Sequence, residues 1–223
     1  MRRLPSLLLG GGALVFLAAC SSSGATDYTQ YWELLKQSAS ATFGKSSIAL
    51  DQAASIPYAS MGWRFNDSPQ GIIVLASDTA GEQMWTSAAR IVLVTQNSRV
   101  KRTVGLPRNL GGLAWGKNSG LTAPVEAALL GRTEQYTVDF PDLGVYAVAV
   151  RCRAVNKGLR SITILGQKIV TNRIEENCTS AALRWTFSNI YWAAPNTGFV
   201  WRSRQAIHPQ GDTLEIEIFR PPE

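Results

Sequence analysis

The chain holds a single histidine, His208, and that limits the chemistry open to it. A hydrolytic triad needs an imidazole base, and a catalytic zinc site draws on several imidazoles. One His ahead of Pro209, in a stretch that reads as a surface loop, supports neither. Paired carboxylates are the remaining option, because glycosidases place two acids across a scissile bond. Glu175 and Glu176 are adjacent and so point to opposite faces of a strand. Glu215 and Glu217 share one face, opposite Leu214, Ile216 and Ile218, which is the pattern of a solvent-facing charged surface. These residues lead to the expectation of a chain that is not an enzyme and uses no metal or cofactor.

Binding chemistry has better material. Trp63, Trp85, Trp115, Trp185, Trp192 and Trp201 could each offer an indole face to a sugar ring, although most tryptophans are core residues. Trp63 and Trp185 fall on apolar strand faces and are expected to be buried. Trp115 lies in a Gly-rich stretch with Lys117, and Arg108 precedes it, so these three are candidates for contact with an acidic glycan or a partner. Arg202 and Arg204 share a strand face and form a second candidate, a basic stripe. No basic segment is interleaved with stacking aromatics, so a nucleic-acid partner is not expected.

The elements that must hold these residues are mostly strands. Ala59, Met61, Trp63 and Phe65 alternate with Tyr58, Ser60, Gly62 and Arg64, the period-2 signature of a half-buried strand. Asn66 to Gly71 is a turn by composition, and Ile72–Ala76 returns as an apolar strand. Further β-type runs cover 91–95, 100–106, 135–140, 145–152, 161–165, 168–174, 182–192, 199–205 and 213–219. Asn97-Ser98 and Gly166-Gln167 are short enough for tight hairpins. The stretch 107–123 lacks periodicity and contains no phosphate-binding glycine motif. Before the strands, Asp27 opens a short helix with Gln30 at the capping-box position and Tyr28, Tyr31, Trp32 and Leu35 at helical spacing. Short strands joined by turns define an antiparallel barrel or sandwich.

The N-terminus supplies the compartment. Arg2 and Arg3 precede an apolar run, Leu7 to Leu17, that is too short for a span needing roughly 20 residues. Leu17-Ala18-Ala19-Cys20 resembles the lipobox of bacterial lipoproteins, in which the Cys thiol is acylated and the leader removed. The expected organisation is a signal peptide over 1–19, a tether over 20–26 and one β-rich domain over 27–223. Several acyl chains at Cys20 make a stable membrane anchor where one is marginal. Ser21, in place of the Asp that usually retains a lipoprotein at the inner membrane, favours an outer-membrane, periplasm-facing location. The leader removes Arg2 and Arg3, so 20 basic residues face 16 acidic ones and the formal charge falls from +6 to +4. With Cys20 assigned to lipid, Cys152 and Cys178 stand in an oxidising space, where two cysteines pair.

Longer strings carry a family resemblance. They are Pro57-Tyr58-Ala59-Ser60-Met61, Trp85-Thr86-Ser87-Ala88, Leu93 to Val100, Thr103 to Leu110, Tyr191-Trp192, Thr197 to Gln205 and Phe219-Arg220-Pro221-Pro222. Together they resemble the YjbF/GfcB family, the group 4 capsule polysaccharide lipoproteins. The chain departs from that pattern at Ser98, where Gly is usual, and at Ala194, where Asp is common. The resemblance implies an antiparallel β-barrel-like or half-barrel domain with minor helical turns. It also implies a role in making or exporting an extracellular polysaccharide beside an outer-membrane export protein, and it carries over no catalytic residues. Two alternatives stand beside it: direct polysaccharide binding, and carriage of an acyl chain inside the barrel.

Overall fold

The computed structural model describes residues 47–115 and 123–222. The lipobox with Cys20, the helix expected from Asp27 and the side chain of Lys117 lie outside the described residues.

Twelve strands form one antiparallel sheet that curls into a nearly closed barrel. They are β1 (Ser60–Phe65), β2 (Gly71–Thr79), β3 (Glu82–Thr86), β4 (Val92–Gln96), β5 (Arg99–Val104) and β6 (Gly112–Trp115). The second half comprises β7 (Thr133–Phe140), β8 (Val145–Ile164), β9 (Gln167–Ser180), β10 (Trp185–Ala193), β11 (Val200–Ala206) and β12 (Thr213–Arg220). The order is β5-β4-β3-β2-β1-β12-β11-β10-β9-β8-β7-β6, so the first and last strands pair and the edges are β5 and β6. The loop between these two edges folds back onto β5. The Leu110 carbonyl accepts from the Thr103 N–H at 2.9 Å, and the Leu110 N–H donates to Thr103 Oγ1 at 2.9 Å. Among the described residues no helix is long and apolar enough to cross a membrane.

Alternation explains the lumen. Leu93 and Thr95 on β4, and Tyr136, Val138 and Phe140 on β7, point inward and are buried between half-exposed neighbours. Met61, Trp85, Phe140, Val150 and Leu214 belong to one apolar cluster that fills the barrel. Trp63 and Trp185 pack against this cluster but stay half-buried, short of the burial expected of them, while Trp85 is fully buried within it. A second cluster forms around α2 (Pro124–Leu130), where Ala127 packs against Ala154, Ile174, Tyr191, Ala193 and Val200. A third lies where α1 (Leu50–Ala54) and the chain beside it meet β2. There Ile56 joins Ile72 and Val74, flanked by Ile48, Tyr58 and Phe219.

The structure revises several sequence expectations. Residues 145–152 and 161–165 read as separate strands, yet β8 runs unbroken for 20 residues. The polar stretch Asn156-Lys157-Gly158 that suggests a break is a bulge, with Gly158 at φ +81° and its N–H bonded to Asn156 Oδ1 at 2.8 Å. Adding one residue to one strand exchanges the faces. Below the bulge Ala154 is paired with Glu176, and both are buried. Above it Leu159 and Val170 are exposed, while Ile162, Ile164 and Thr171 on the other face are covered. The hairpin at the tip turns on Leu165-Gly166, both at positive φ, one residue earlier than expected, whereas Asn97-Ser98 makes the tight turn that its composition predicts. Strand β6 lies inside the stretch that seemed aperiodic; four residues beginning with Gly are too few to show a period.

Candidate functional site: a buried ion pair and an outer charge ladder

Two polar constellations stand out, one in the lumen and one on the outer wall. In the lumen, Arg99 at the start of β5 forms an ion pair with Glu176 on β9, their side chains 3% and 1% exposed. The other oxygen of Glu176 accepts from Asn189 Nδ2 at 2.9 Å and from the Tyr191 hydroxyl at 3.2 Å. Arg99 also lies 5.9 Å from the centroid of the Tyr191 ring. The β4–β5 turn that delivers Arg99 is pinned by Gln205 of β11. Its Oε1 accepts from the Val100 N–H at 3.0 Å and its Nε2 donates to the Ser98 carbonyl at 2.9 Å. Burial and the negative Glu176 hold the Tyr191 and Tyr136 phenols well above their ordinary range, so both remain protonated donors. Burial disfavours the Arg99 cation, but Glu176 and the neighbouring tyrosines and Glu134 outweigh it and raise its pKa. Arg99 Nη1 has no partner among the described residues, and the adjoining cavity of about 20 Å³ is large enough for a water molecule.

Cys152 and Cys178 are disulfide-bonded beside this cluster, at directly paired positions of β8 and β9. The Tyr136 hydroxyl lies 3.2 Å from Cys152 Sγ. Cys152, Glu176 and Cys178 bring donor atoms within 4.8 Å of one another, but the disulfide occupies both sulfurs and removes the thiolates a metal would need.

On the outer wall, register builds a ladder. Arg204 on β11 is opposite Glu215 on β12, which is opposite Arg64 on β1; one step along, Arg202 is opposite Glu217, which is opposite Gly62. Arg64 Nε donates to Glu215 Oε1 at 2.8 Å, Arg204 reaches Glu215 at 3.5 Å, and Arg202 pairs with Glu217. Gly62 leaves room above it. A Cβ there would stand 2.6 Å from the Gln70 amide and 2.4 Å from Phe219. Gln70 Nε2 uses that space to donate to Glu217 at 2.9 Å, while its Oε1 accepts from the Ile48 N–H at 3.1 Å. Arg202 also donates to the Thr163 carbonyl at 2.7 Å and lies 5.8 Å from the centroid of the Trp192 ring. The tip of the β8–β9 hairpin and the segment before α1 thus both attach to the ladder.

Glu215 and Glu217, read from sequence as solvent-facing, are only 8% and 6% exposed. The hairpin tip and the segment at Ile48 cover a face that alternation alone would leave open. Arg202 and Arg204 do share a face, but the opposing glutamates turn the basic stripe into alternating charge. A sequence signal for this existed: Arg-x-Arg and Glu-x-Glu stand on consecutive strands joined by a short loop, so an antiparallel hairpin sets them opposite one another.

The remaining candidates separate. Arg108 sits in the β5–β6 loop, exposed, donating to Gln210 Oε1 at 2.9 Å beside His208. Trp115 faces Tyr136, ring centroids 4.8 Å apart, half-buried rather than freely exposed, with Nε1 unpartnered among the described residues. His208 is not a surface residue. It is 1% exposed, packs on Phe140, accepts from the Gln210 N–H at Nδ1 and places Nε2 3.1 Å from Asp142 Oδ2. Its role is to lock the loop between β11 and β12.

A nearly closed antiparallel barrel with an apolar-filled lumen is an all-β fold. The particular family is shown by a family model, group 4 capsule polysaccharide lipoprotein gfcB, YjbF, which matches residues 37–219; the chain belongs to that family. It is 25% identical over 210 residues to the uncharacterized lipoprotein GfcB of Escherichia coli strain K12, covering 93% of this chain and 94% of that one. Over 102 residues it is 31% identical to the uncharacterized lipoprotein YjbF of the same strain, spanning 45% of this chain and 43% of that one. In structure it is similar to the crystallised hypothetical lipoprotein YmcC from Escherichia coli, with a TM-score of 0.70 at 24% identity over 87% of this chain and 95% of that one.

Proposed function

We propose that this lipoprotein is a non-enzymatic accessory in the production or export of a capsular or other extracellular polysaccharide. In this reading Cys20 carries the lipid anchor, the domain faces the periplasm from the outer membrane, and it docks on an outer-membrane export protein. The observation that carries the accessory role is the state of the buried carboxylates. Glu176, Glu215 and Glu217 are each bound to arginine, as wall supports rather than as an acid pair facing each other across a cleft. Acyl-chain carriage is less well supported. Trp85, Tyr191, Phe140 and Met61 fill the interior, and the cavities lined by those residues are about 20 and 70 Å³. Docking is supported by outward apolar side chains on β3 and β5, Met84 and Val104, 40% and 44% exposed. They border the outward Val92 and Val94 of β4. Native mass spectrometry of the lipidated protein extracted in mild detergent tests the docking. A complex with an outer-membrane protein that persists without polysaccharide is expected; a protein recovered alone under the same extraction would contradict it.

A further inference from the structure

The outer ladder does more than brace the wall. Between it, the hairpin tip and the segment at the start of the described chain lies a cleft of about 480 Å³, within the roughly 300–1,000 Å³ typical of small-ligand sites. Arg64, Gln70, Arg202 and Glu217 line one side, with Thr163 and Leu165 of the hairpin facing them. We infer that this cleft binds a short oligosaccharide that carries a carboxylate, an assignment that rests on the polysaccharide role proposed above.

Three observations point to that ligand. A sugar presents hydroxyls that donate and accept at once, and the cleft offers fixed guanidinium donors, a carboxylate acceptor and an amide that does both. These planar groups already hold one another through the Arg202–Glu217–Gln70 chain of contacts, so little side-chain freedom is lost when a ligand enters. Second, Arg202, which lines the cleft, keeps one buried donor, Nε, without a partner among the described residues, so its hydrogen-bonding capacity is not exhausted by Glu217 and Thr163. Third, the lining holds two guanidinium groups, Arg64 and Arg202, and one carboxylate, Glu217, a local excess of positive charge that suits an anionic sugar. The apolar parts of Ile48 and Leu165 suit the C–H faces of a pyranose ring, and Glu217 in the lining opposes a more highly charged phosphate ligand.

Isothermal titration of the full-length lipidated protein in detergent with trigalacturonic acid, and with maltotriose as the neutral probe, tests the assignment. Saturable binding at one site is expected for the acidic trisaccharide, with weaker binding of maltotriose. Arg202→Gln should weaken the acidic ligand about tenfold, the loss of one charge-assisted contact. Because that change could also loosen the hairpin tip, Ser47→Trp is the second variant. Ser47 is exposed at the cleft and makes no ladder contact, so the indole should obstruct entry and abolish binding while unfolding is unchanged. Arg151→Gln, exposed on β8, should bind as the wild type does. Absence of saturable binding by the wild type, or undiminished affinity in Ser47→Trp, would overturn the site; equal affinity for the two probes would overturn its acidic specificity. A strain that needs the protein for its surface polysaccharide while the cleft binds neither probe would sink this inference and leave the accessory role standing.

Discussion

Arg99→Met is expected to lower the unfolding free energy by about 3–5 kcal/mol, the cost of breaking a buried pair from one side. Glu176 would remain 1% exposed with only Asn189 and Tyr191 to meet its charge. An uncompensated carboxylate in that position either remains charged at a large desolvation cost or takes up a proton. The loss should appear as a lower urea midpoint with an unchanged slope, since the surface exposed on unfolding hardly differs. The double variant Arg99→Met, Glu176→Leu should recover most of the stability, because apolar groups of similar size need no partner. A single-variant loss under about 1 kcal/mol, within the range of an exposed pair, would mean that water already solvates this ion pair. The pair also sits where the sheet edges fail to zip together, so its removal should loosen β5 before the other strands.

Removing the Cys152–Cys178 bridge is the second large perturbation. The two residues are 26 apart in sequence, and loop-closure entropy then assigns the crosslink roughly 3–4 kcal/mol. They are paired in register and 1% and 0% exposed, so the bond staples β8 to β9 inside the wall without drawing either strand out of place. The expected result is a urea midpoint for Cys152→Ala, Cys178→Ala well below that of the oxidised protein, with the same sheet content in far-ultraviolet circular dichroism. Identical midpoints, or a thiol titration that finds both sulfurs free in the oxidised protein, would contradict the assignment.

Much of this fold can be read in the sequence because strands advertise themselves through alternation. Trp63-Arg64-Phe65 and Leu214-Glu215-Ile216-Glu217-Ile218 declare both element and inward face, and Asn97-Ser98 declares its turn. Alternation says which face is apolar, but it does not say what covers the other face. That is why Glu215 and Glu217 seem solvated and are not. The cover comes from two distant segments: Ile48, held by Gln70, and Thr163, carried on a hairpin whose bulge at Gly158 no period reveals. The Arg99–Glu176 pair is hidden for the same reason, since its partners are 77 residues apart and nothing local to either marks it. His208 reads as a surface residue because Pro209 and Gly211 follow it in a loop, whereas Phe140 and Asp142, which cover it, come from β7 and the turn after it. Cys152 and Cys178 are legible by counting, once Cys20 is set aside for lipid.

The accessory role is tested most directly by the amount of polysaccharide attached to the cell surface in the host strain without this protein. That amount is to be compared after complementation with the wild type and with Cys20→Ala, each at matched protein levels. The account predicts a marked fall in the deletion strain, restoration by the wild type, and little restoration by Cys20→Ala, which would fold but lack its anchor. Unchanged surface polysaccharide in the deletion strain would contradict the role itself, and full restoration by Cys20→Ala would contradict the need for the membrane tether.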